Sequence, residues 1–159
     1  MSFDLYLSRF HCGDLRPVDG EAVLRVLRRH CREAADEFGF YGVSFADGSQ
    51  LEFSARGLES GAGLTGCAFH LQHCSEPVVT FVYDVARAGD MVIFNAQGSD
   101  TPDAPLAIVL ADGQFEHLPA GVASHPVTCD SPAGLARLLG VAFERWGSYR
   151  DQVTGAGTR

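Results

Sequence analysis

The chain has 159 residues, a length that suits one domain able to bury about two-thirds of its unfolded surface. Its 20 acidic and 12 basic residues give a net charge of −8, which disfavours nucleic acid as a partner. No run of 18 apolar residues occurs, and no basic region precedes an apolar one at the N-terminus. We therefore expect a cytoplasmic protein with neither a membrane span nor a secretory signal.

The first part of the chain predicts a strand and then a helix. Apolar and polar residues alternate from Phe3, which is typical of a strand, and we expect this strand to end near Cys12 and Gly13. Asp19-Gly20-Glu21 opens a helix predicted over residues 20 to 35. On a helical wheel its apolar residues share one face and four arginines share the opposite face. The arginines are Arg25, Arg28, Arg29 and Arg32.

Two hairpins are predicted. Residues 41–45 and 51–54 flank Asp47-Gly48, and an Asp-Gly pair favours the positive backbone dihedrals of a tight turn. A second hairpin is expected from residues 106–110 and 115–118 around Asp112-Gly113. Residues 125–129 are expected to add a further short strand.

The segment from Cys67 to Asn95 predicts a strand, a helix and a second strand that supply most of the core. Residues 66–73 alternate with a period of two. Ser75-Glu76-Pro77 supplies a capping hydroxyl, an acid and a first-turn proline, which together predict a helix over residues 76 to 88. Residues 91–94 form a short, wholly apolar strand that we expect to be buried on both faces.

Ser131-Pro132 opens the strongest helical periodicity of the chain, predicted over residues 132 to 150. We expect residues 1–151 to form one globular domain and residues 152–159 to form a flexible tail. The predicted fold class is α+β, with a mixed or mainly antiparallel sheet of about six strands flanked by three helices.

The sequence contains two patterns that resemble ligand-binding motifs but lack the surroundings that such motifs require. Residues 61–66 match G-x-G-x-x-G, but a strand follows the glycines where a dinucleotide site requires a helix. On a strand, Cys67 and His73 lie about 20 Å apart, so they cannot share an ion with His70 and Cys74. The sequence thus predicts no metal, no cofactor and no catalytic residue. Cys12 with His11 and Cys129 with His125 are sequence neighbours whose geometry stays open.

The five cysteines are odd in number and lack C-x-x-C spacing, which favours reduced, mostly buried thiols over a disulfide framework or a zinc ribbon. They are Cys12, Cys31, Cys67, Cys74 and Cys129.

Acidic residues are concentrated in one interval, because residues 88–136 contain no Arg or Lys. These acids either fill turns or form a surface that attracts a basic partner. The predicted partner-binding residues are Asp47, Asp100, Asp103, Asp112 and Glu116.

The opening residues 1–7 with Phe10 and Gly13, residues 86–91, and Leu138-Leu139 with residues 146–151 resemble small bacterial proteins. Several of those proteins look like immunity proteins, the cytoplasmic partners that bind and neutralise secreted polymorphic toxins. The resemblance implies direct contact with a cognate toxin domain and provides no catalytic residues to carry over to this chain.

Two alternatives belong to other functional classes. The chain can be a small enzyme or a ligand-binding domain that uses His70, His73 or Cys74 in a pocket beside the sheet. It can also form a homodimer in which the arginine face of the first helix docks on an acidic patch of a second copy.

Overall fold

The first strand of the chain lies at the centre of a seven-stranded sheet. The computed structural model describes residues 1–61 and 63–155. Its strands are β1 (Phe3–Ser8), β2 (Phe10–His11), β3 (Asp14–Leu15), β4 (Phe40–Ser44), β5 (Gln50–Ser54), β6 (Gly66–Leu71), β7 (Val92–Asn95), β8 (Ala107–Val109) and β9 (Val127–Thr128). The large sheet has the order β4-β5-β6-β1-β7-β8-β9, and β2 pairs with β3 in a separate hairpin.

This arrangement confirms the predicted α+β fold, with seven strands where about six were expected. The sheet is mixed, because β8 and β9 run parallel while the other neighbouring pairs run antiparallel. The predicted unit of strand, helix and strand is present as β6, a helix over Glu76–Ala88 and β7. The sequence did not predict that β1 inserts between β6 and β7 and pairs with both.

Three helices cover one face of the sheet: α1 (Gly20–Leu27), α2 (Glu76–Ala88) and α3 (Pro132–Thr154). Phe81 of α2 packs edge-on against Phe69, with ring centres 5.7 Å apart, and Trp146 of α3 lies 6.0 Å from Phe3. Phe3, Leu5 and Leu7 of β1 all point into this core and are almost fully buried. Alternation along β1 therefore sends Asp4, Tyr6 and Ser8 to the face without helices.

Side chains cap two of the three helices. Asp19 accepts a hydrogen bond from the Ala22 amide, and Ser131 accepts one from the Gly134 amide. Ser75 occupies the capping position of α2, but its hydroxyl donates to the Ser49 hydroxyl instead. The expected Ser75 cap is thus replaced by a contact between α2 and the turn that joins β4 to β5.

The first helix is shorter than predicted, because α1 ends at Leu27 and not near residue 35. The Arg28 guanidinium donates to the Glu33 carbonyl oxygen at 2.7 Å and pairs with the Glu59 carboxylate. Glu59 also accepts the Tyr41 hydroxyl at 3.0 Å. These contacts hold the chain after Arg28 in a turn. Of the four arginines, only Arg25 lies within the helix, so the predicted basic helix face is not formed.

The predicted second hairpin is also wrong. After β8 the chain forms a 3-10 helix over Asp112–His117, and residues 115–118 do not pair with β8. The Gln114 side chain accepts the Leu110 amide at 2.7 Å, which favours the helical turn. The short strand expected within residues 125–129 is present as β9.

The last helix continues to Thr154, three residues into the predicted tail. Residues 156–159 of that tail lie outside the described part of the chain. Among the residues that the structure describes, no helix is both long and apolar enough to cross a membrane.

Gly66, the last glycine of the G-x-G-x-x-G match, is required by the packing of the sheet. It begins β6 opposite Ser8, and a Cβ at this position would lie only 2.3 Å from the Leu7 carbonyl oxygen. We expect Gly66→Ala to lower the free energy of unfolding by about 1–3 kcal/mol, because β1 and β6 must move apart. Gly140→Ala is the matched control, since its Cβ meets open space within α3, and it should stabilise by about 1 kcal/mol. Urea unfolding measures both, and equal stabilities would contradict this role.

The contact between Tyr41 and Glu59 makes stability depend on pH. Burial, followed by the hydrogen bond to Glu59, raises the pKa of Tyr41 to about 12. An unfolded tyrosine ionises near pH 10, so the unfolded state loses its proton first and stability falls between about pH 10 and 12. The wild type should therefore lose free energy of unfolding relative to Tyr41→Phe across that range, by at most about 2–3 kcal/mol. Urea unfolding at several pH values measures this difference. If the free energies of unfolding of the two proteins changed equally with pH, the raised pKa of Tyr41 would be refuted.

Candidate functional site

The face of the sheet opposite the helices is covered over only part of its width. Over β7, β8 and β9, Phe10 and Leu118 pack on Val92, Ala107 and Val109 and form a small second core. Over β4, β5, β6 and β1, the side chains on this face reach solvent. We call this region the open face. It consists of Asp4, Tyr6, Ser8, Phe40, Gly42, Ser44, Gln50, Glu52, Ser54, Ala68 and His70.

Tyr6 stands at the middle of the open face. It lies on the central strand, yet 47% of its surface is exposed. Ala68 is its partner on β6 and Phe94 is its partner on β7, so one neighbour is small and the other aromatic. Phe40 lies two strands beyond Ala68 in the same row. The row therefore presents separated aromatic rings on a rigid backbone.

A second row carries acidic groups on both sides of a histidine. Strand pairing aligns Glu52 with His70 and His70 with Asp4. The His70 Nδ1 lies 2.8 Å from an Asp4 carboxylate oxygen, which also accepts the Ser2 hydroxyl at 2.6 Å. The Phe40 ring packs 5.7 Å from the imidazole. With Nδ1 facing the carboxylate, the Nε2 atom is left to accept or donate a proton towards a bound molecule.

Small residues leave two shallow depressions in the open face. One has a volume of about 480 Å³ and is lined by Glu33, Gly42, Glu52 and His70, among others. The other has about 410 Å³ and includes Tyr6, Ser54, Arg56, Gly66 and Ala68. Three carboxylates lie in or next to these depressions, on Asp4, Glu33 and Glu52. The residues that line the depressions include one arginine, Arg56, so the charge of this surface is negative.

The predicted acidic residues lie in three places. Asp47 is in the turn between β4 and β5, Asp100 and Asp103 are in the loop after β7, and Asp112 and Glu116 are in the 3-10 helix. Strand directions put the first three at the end of the sheet where β1 begins and the last two at the opposite end. Strands lie about 4.8 Å apart, so β5 and β8 are separated by about 19 Å. The five residues therefore do not form one cluster.

Three of these carboxylates hold turns and loops. Asp100 accepts the amides of Ser124 and His125 at 2.8 and 3.1 Å, and these bonds lower the pKa of its carboxyl group. The hydroxyl and amide of Ser49 bind Asp47 and lower its pKa too. Asp112 accepts the Thr128 hydroxyl at 3.2 Å. Asp103 and Glu116 are exposed.

The histidine and cysteine residues near β6 separate, as strand alternation predicts. His70 points to the open face, whereas Cys67 is buried among the helices, where burial raises the pKa of its thiol. His73 is exposed beyond the end of β6. Cys74 packs partly into the core, and burial raises the pKa of its thiol to about 11. Of the three residues proposed for a pocket, His70 lines one of the two depressions described above, and His73 and Cys74 line neither.

The fold and site define a small α+β domain in which one face of the sheet is exposed over β4, β5, β6 and β1. Comparison of this chain with protein-family models, with curated proteins and with solved structures gives no match. Inference about its function therefore depends on the site itself.

Sequence reasoning missed Asp4, Tyr6 and Glu52 as candidate binding residues. The alternation from Phe3 to Ser8 was a signal, because it places Asp4 and Tyr6 together on one side of the strand. Periodicity does not show which side of a strand is covered by helices. Glu52 joins this surface only through the pairing of β5 with β6.

The Asp100 carboxylate should be needed to order two loops. Asp100→Asn removes the anionic acceptor, so we expect faster amide exchange at Ser124 and His125 near pH 7. Because the folded pKa lies below the ordinary 3.8, this stabilisation is present above pH 3.8 and is lost as pH falls through the folded value. Asp103→Asn, in the same loop, should leave both amides unchanged. Equal effects of the two substitutions, measured by NMR, would contradict this assignment.

Proposed function

We propose that the protein binds another protein through the open face, and that this partner is a cognate toxin domain which it neutralises in the cytoplasm. The observation that carries the proposal is Tyr6, a large aromatic residue half exposed at the centre of the sheet. An aromatic side chain on a rigid element loses little conformational freedom on binding, and tyrosine is among the residues that dominate interface energies.

The surroundings of Tyr6 fit a protein partner. Its neighbours in the same row are Ala68 and Phe94, with Ser54 and Phe40 further along. Such a row offers a broad, shallow surface on which a partner can bury aromatic anchors and exclude water around them. The Asp4 and Glu52 carboxylates lie in the next row and supply polar contacts.

Charge indicates what kind of partner would bind. The open face carries more carboxylates than arginines, and the whole chain has a net charge of −8. Asp47 lies at the end of the same sheet region, in the turn that follows β4. This potential attracts a basic surface and speeds encounter with it. Toxin domains that act on nucleic acid are commonly basic, and an acidic face would occupy the surface they use for their substrate.

Neutralisation by direct binding requires a rigid binding surface and no catalytic activity of the protein itself. Both neighbours of β1 in the sheet hold its backbone by antiparallel pairing, so Asp4 and Tyr6 are fixed relative to each other before a partner arrives. A surface that is ordered in advance loses less free energy to ordering on binding.

A second candidate function rests on the contact between Asp4 and His70. A carboxylate that orients an imidazole, beside a depression of about 480 Å³, is also an arrangement that can position a small ligand or move a proton. His70→Gln distinguishes the two functions. It should abolish binding of a small molecule in the depression, whereas it should weaken a protein interface centred on Tyr6 only modestly.

The partner can be sought by pull-down from the native host at low and moderate salt, followed by mass spectrometry. Capture is informative only with a second assay, in which the captured domain alone arrests growth and coexpression of this chain restores it. Restored growth, with capture that weakens as salt rises, is the result that the proposal predicts. A captured domain that is harmless, or one that this chain does not neutralise, would overturn it.

Tyr6 should be a main contributor to partner affinity. We expect Tyr6→Ala to weaken binding at least about 30-fold, equivalent to about 2 kcal/mol, because a central aromatic anchor is lost. Tyr149→Ala is the matched control, since Tyr149 is 58% exposed on α3, whereas Tyr6 lies on the face that the helices leave open. Isothermal calorimetry gives the affinities, and urea unfolding verifies that both variants fold. If the two substitutions reduced the affinity for the partner equally, Tyr6 would not be the central anchor and the proposed interface would be wrong.

A further inference from the structure

Three side chains that can bind metal meet at the end of the sheet where β1 terminates. His11 and Cys12 lie at the tip of the β2–β3 hairpin, and His117 is the last residue of the 3-10 helix. The three potential ligand atoms all lie within 4.8 Å of one another. The two imidazole rings are stacked at a tilt, with centres 4.5 Å apart. Residues 105 positions apart in the chain therefore form one cluster.

The backbone holds Cys12 in a conformation that cysteine rarely adopts. Cys12 and Gly13 form the two-residue turn of the hairpin, with φ values of +52° and +84°. Asn-Gly is the usual pair in such a turn, because Asn tolerates the left-handed region better than other residues with a side chain. The Gly13 amide donates to the His117 carbonyl oxygen at 3.0 Å, which fixes the hairpin tip against the 3-10 helix.

The Cys12 thiol is also accessible. Cys12 is exposed, whereas Cys31, Cys67 and Cys129 are buried and Cys74 is partly buried. One thiolate and two imidazoles form a ligand set that Zn²⁺ prefers, and three protein ligands leave the fourth tetrahedral position to water.

We propose that His11, Cys12 and His117 form a binding site for Zn²⁺, with water as the fourth ligand. Zinc lies about 2.0–2.1 Å from imidazole nitrogen and about 2.3 Å from sulfur. At these bond lengths the ligand atoms of a tetrahedral site lie about 3.3–3.6 Å apart, so two atoms of the cluster must approach by at most about 1.5 Å, which small side-chain rotations can achieve. His117 Nδ1 accepts the Cys12 amide at 3.3 Å, a long hydrogen bond that places the imidazole beside the hairpin tip.

Bound zinc would link the hairpin to the 3-10 helix across the second core. Phe10, next to His11, packs there with Leu118, next to His117. This end of the sheet is opposite the one that carries Asp47, Asp100 and Asp103. The metal site therefore does not depend on the proposed function of the open face.

Metal titration of the full chain tests the site. We expect one Zn²⁺ per chain, and a Co²⁺ complex that shows a thiolate charge-transfer band. Cys12→Asn removes the thiol while retaining a residue that suits the turn, so the hairpin should still form. This variant should lose the band and bind Zn²⁺ at least about 10-fold more weakly, and His117→Gln should bind more weakly as well.

The control variants are Cys74→Ser and His73→Gln, which change the same residue types away from the cluster and should leave affinity and spectrum unchanged. Zinc should also slow alkylation of Cys12 by iodoacetamide. Absence of stoichiometric binding in the wild type would overturn the proposal. Unchanged binding in Cys12→Asn would overturn it as well, because the ion would then be held elsewhere.

Discussion

The structure depends on the pairing of β1 with strands on both of its sides. Pairing with β6 and β7 fixes the register of the central strand, so Phe3, Leu5 and Leu7 enter the helix-covered core. The same register sends Asp4 and Tyr6 to the open face. Because side chains alternate with a period of two, a shift of one residue would exchange the two sets. Core packing and the candidate binding surface therefore follow from one constraint.

This constraint separates the packed core from the candidate binding surface. Helices α1, α2 and α3 bury the apolar half of each central strand, and the second core closes over β7, β8 and β9. The strands β4, β5, β6 and β1 are left with a polar and aromatic surface that the fold itself does not use. A rigid sheet that exposes Tyr6 next to a row of carboxylates is better suited to recognition of a partner than to the enclosure of a substrate. The cluster of His11, Cys12 and His117 lies beyond this surface, where a metal ion would brace the hairpin.

The sequence predicted those parts of the fold that local signals determine. Proline in the first turn and helical periodicity placed α2 and α3 well, and Asp47-Gly48 located the first hairpin. It failed where specific side-chain contacts, which periodicity and turn signals do not reveal, determine the backbone conformation. Glu59 binds Arg28 from 31 residues away and helps end α1, while Gln114 folds back on Leu110 and turns an expected strand into a 3-10 helix.

The candidate site was less predictable. Periodicity divides a strand into two faces without showing which is covered, and the approach of His117 to Cys12 leaves no trace in sequence spacing.

The most direct test of the binding surface is hydroxyl-radical footprinting of this chain, free and in complex with the domain it captures. Our account predicts that oxidation of Tyr6 and Phe40 falls strongly in the complex while oxidation of Tyr149 does not change. Protection of Tyr149 or of residues 112–117, with Tyr6 still reactive, would contradict the assignment of the open face as the interface.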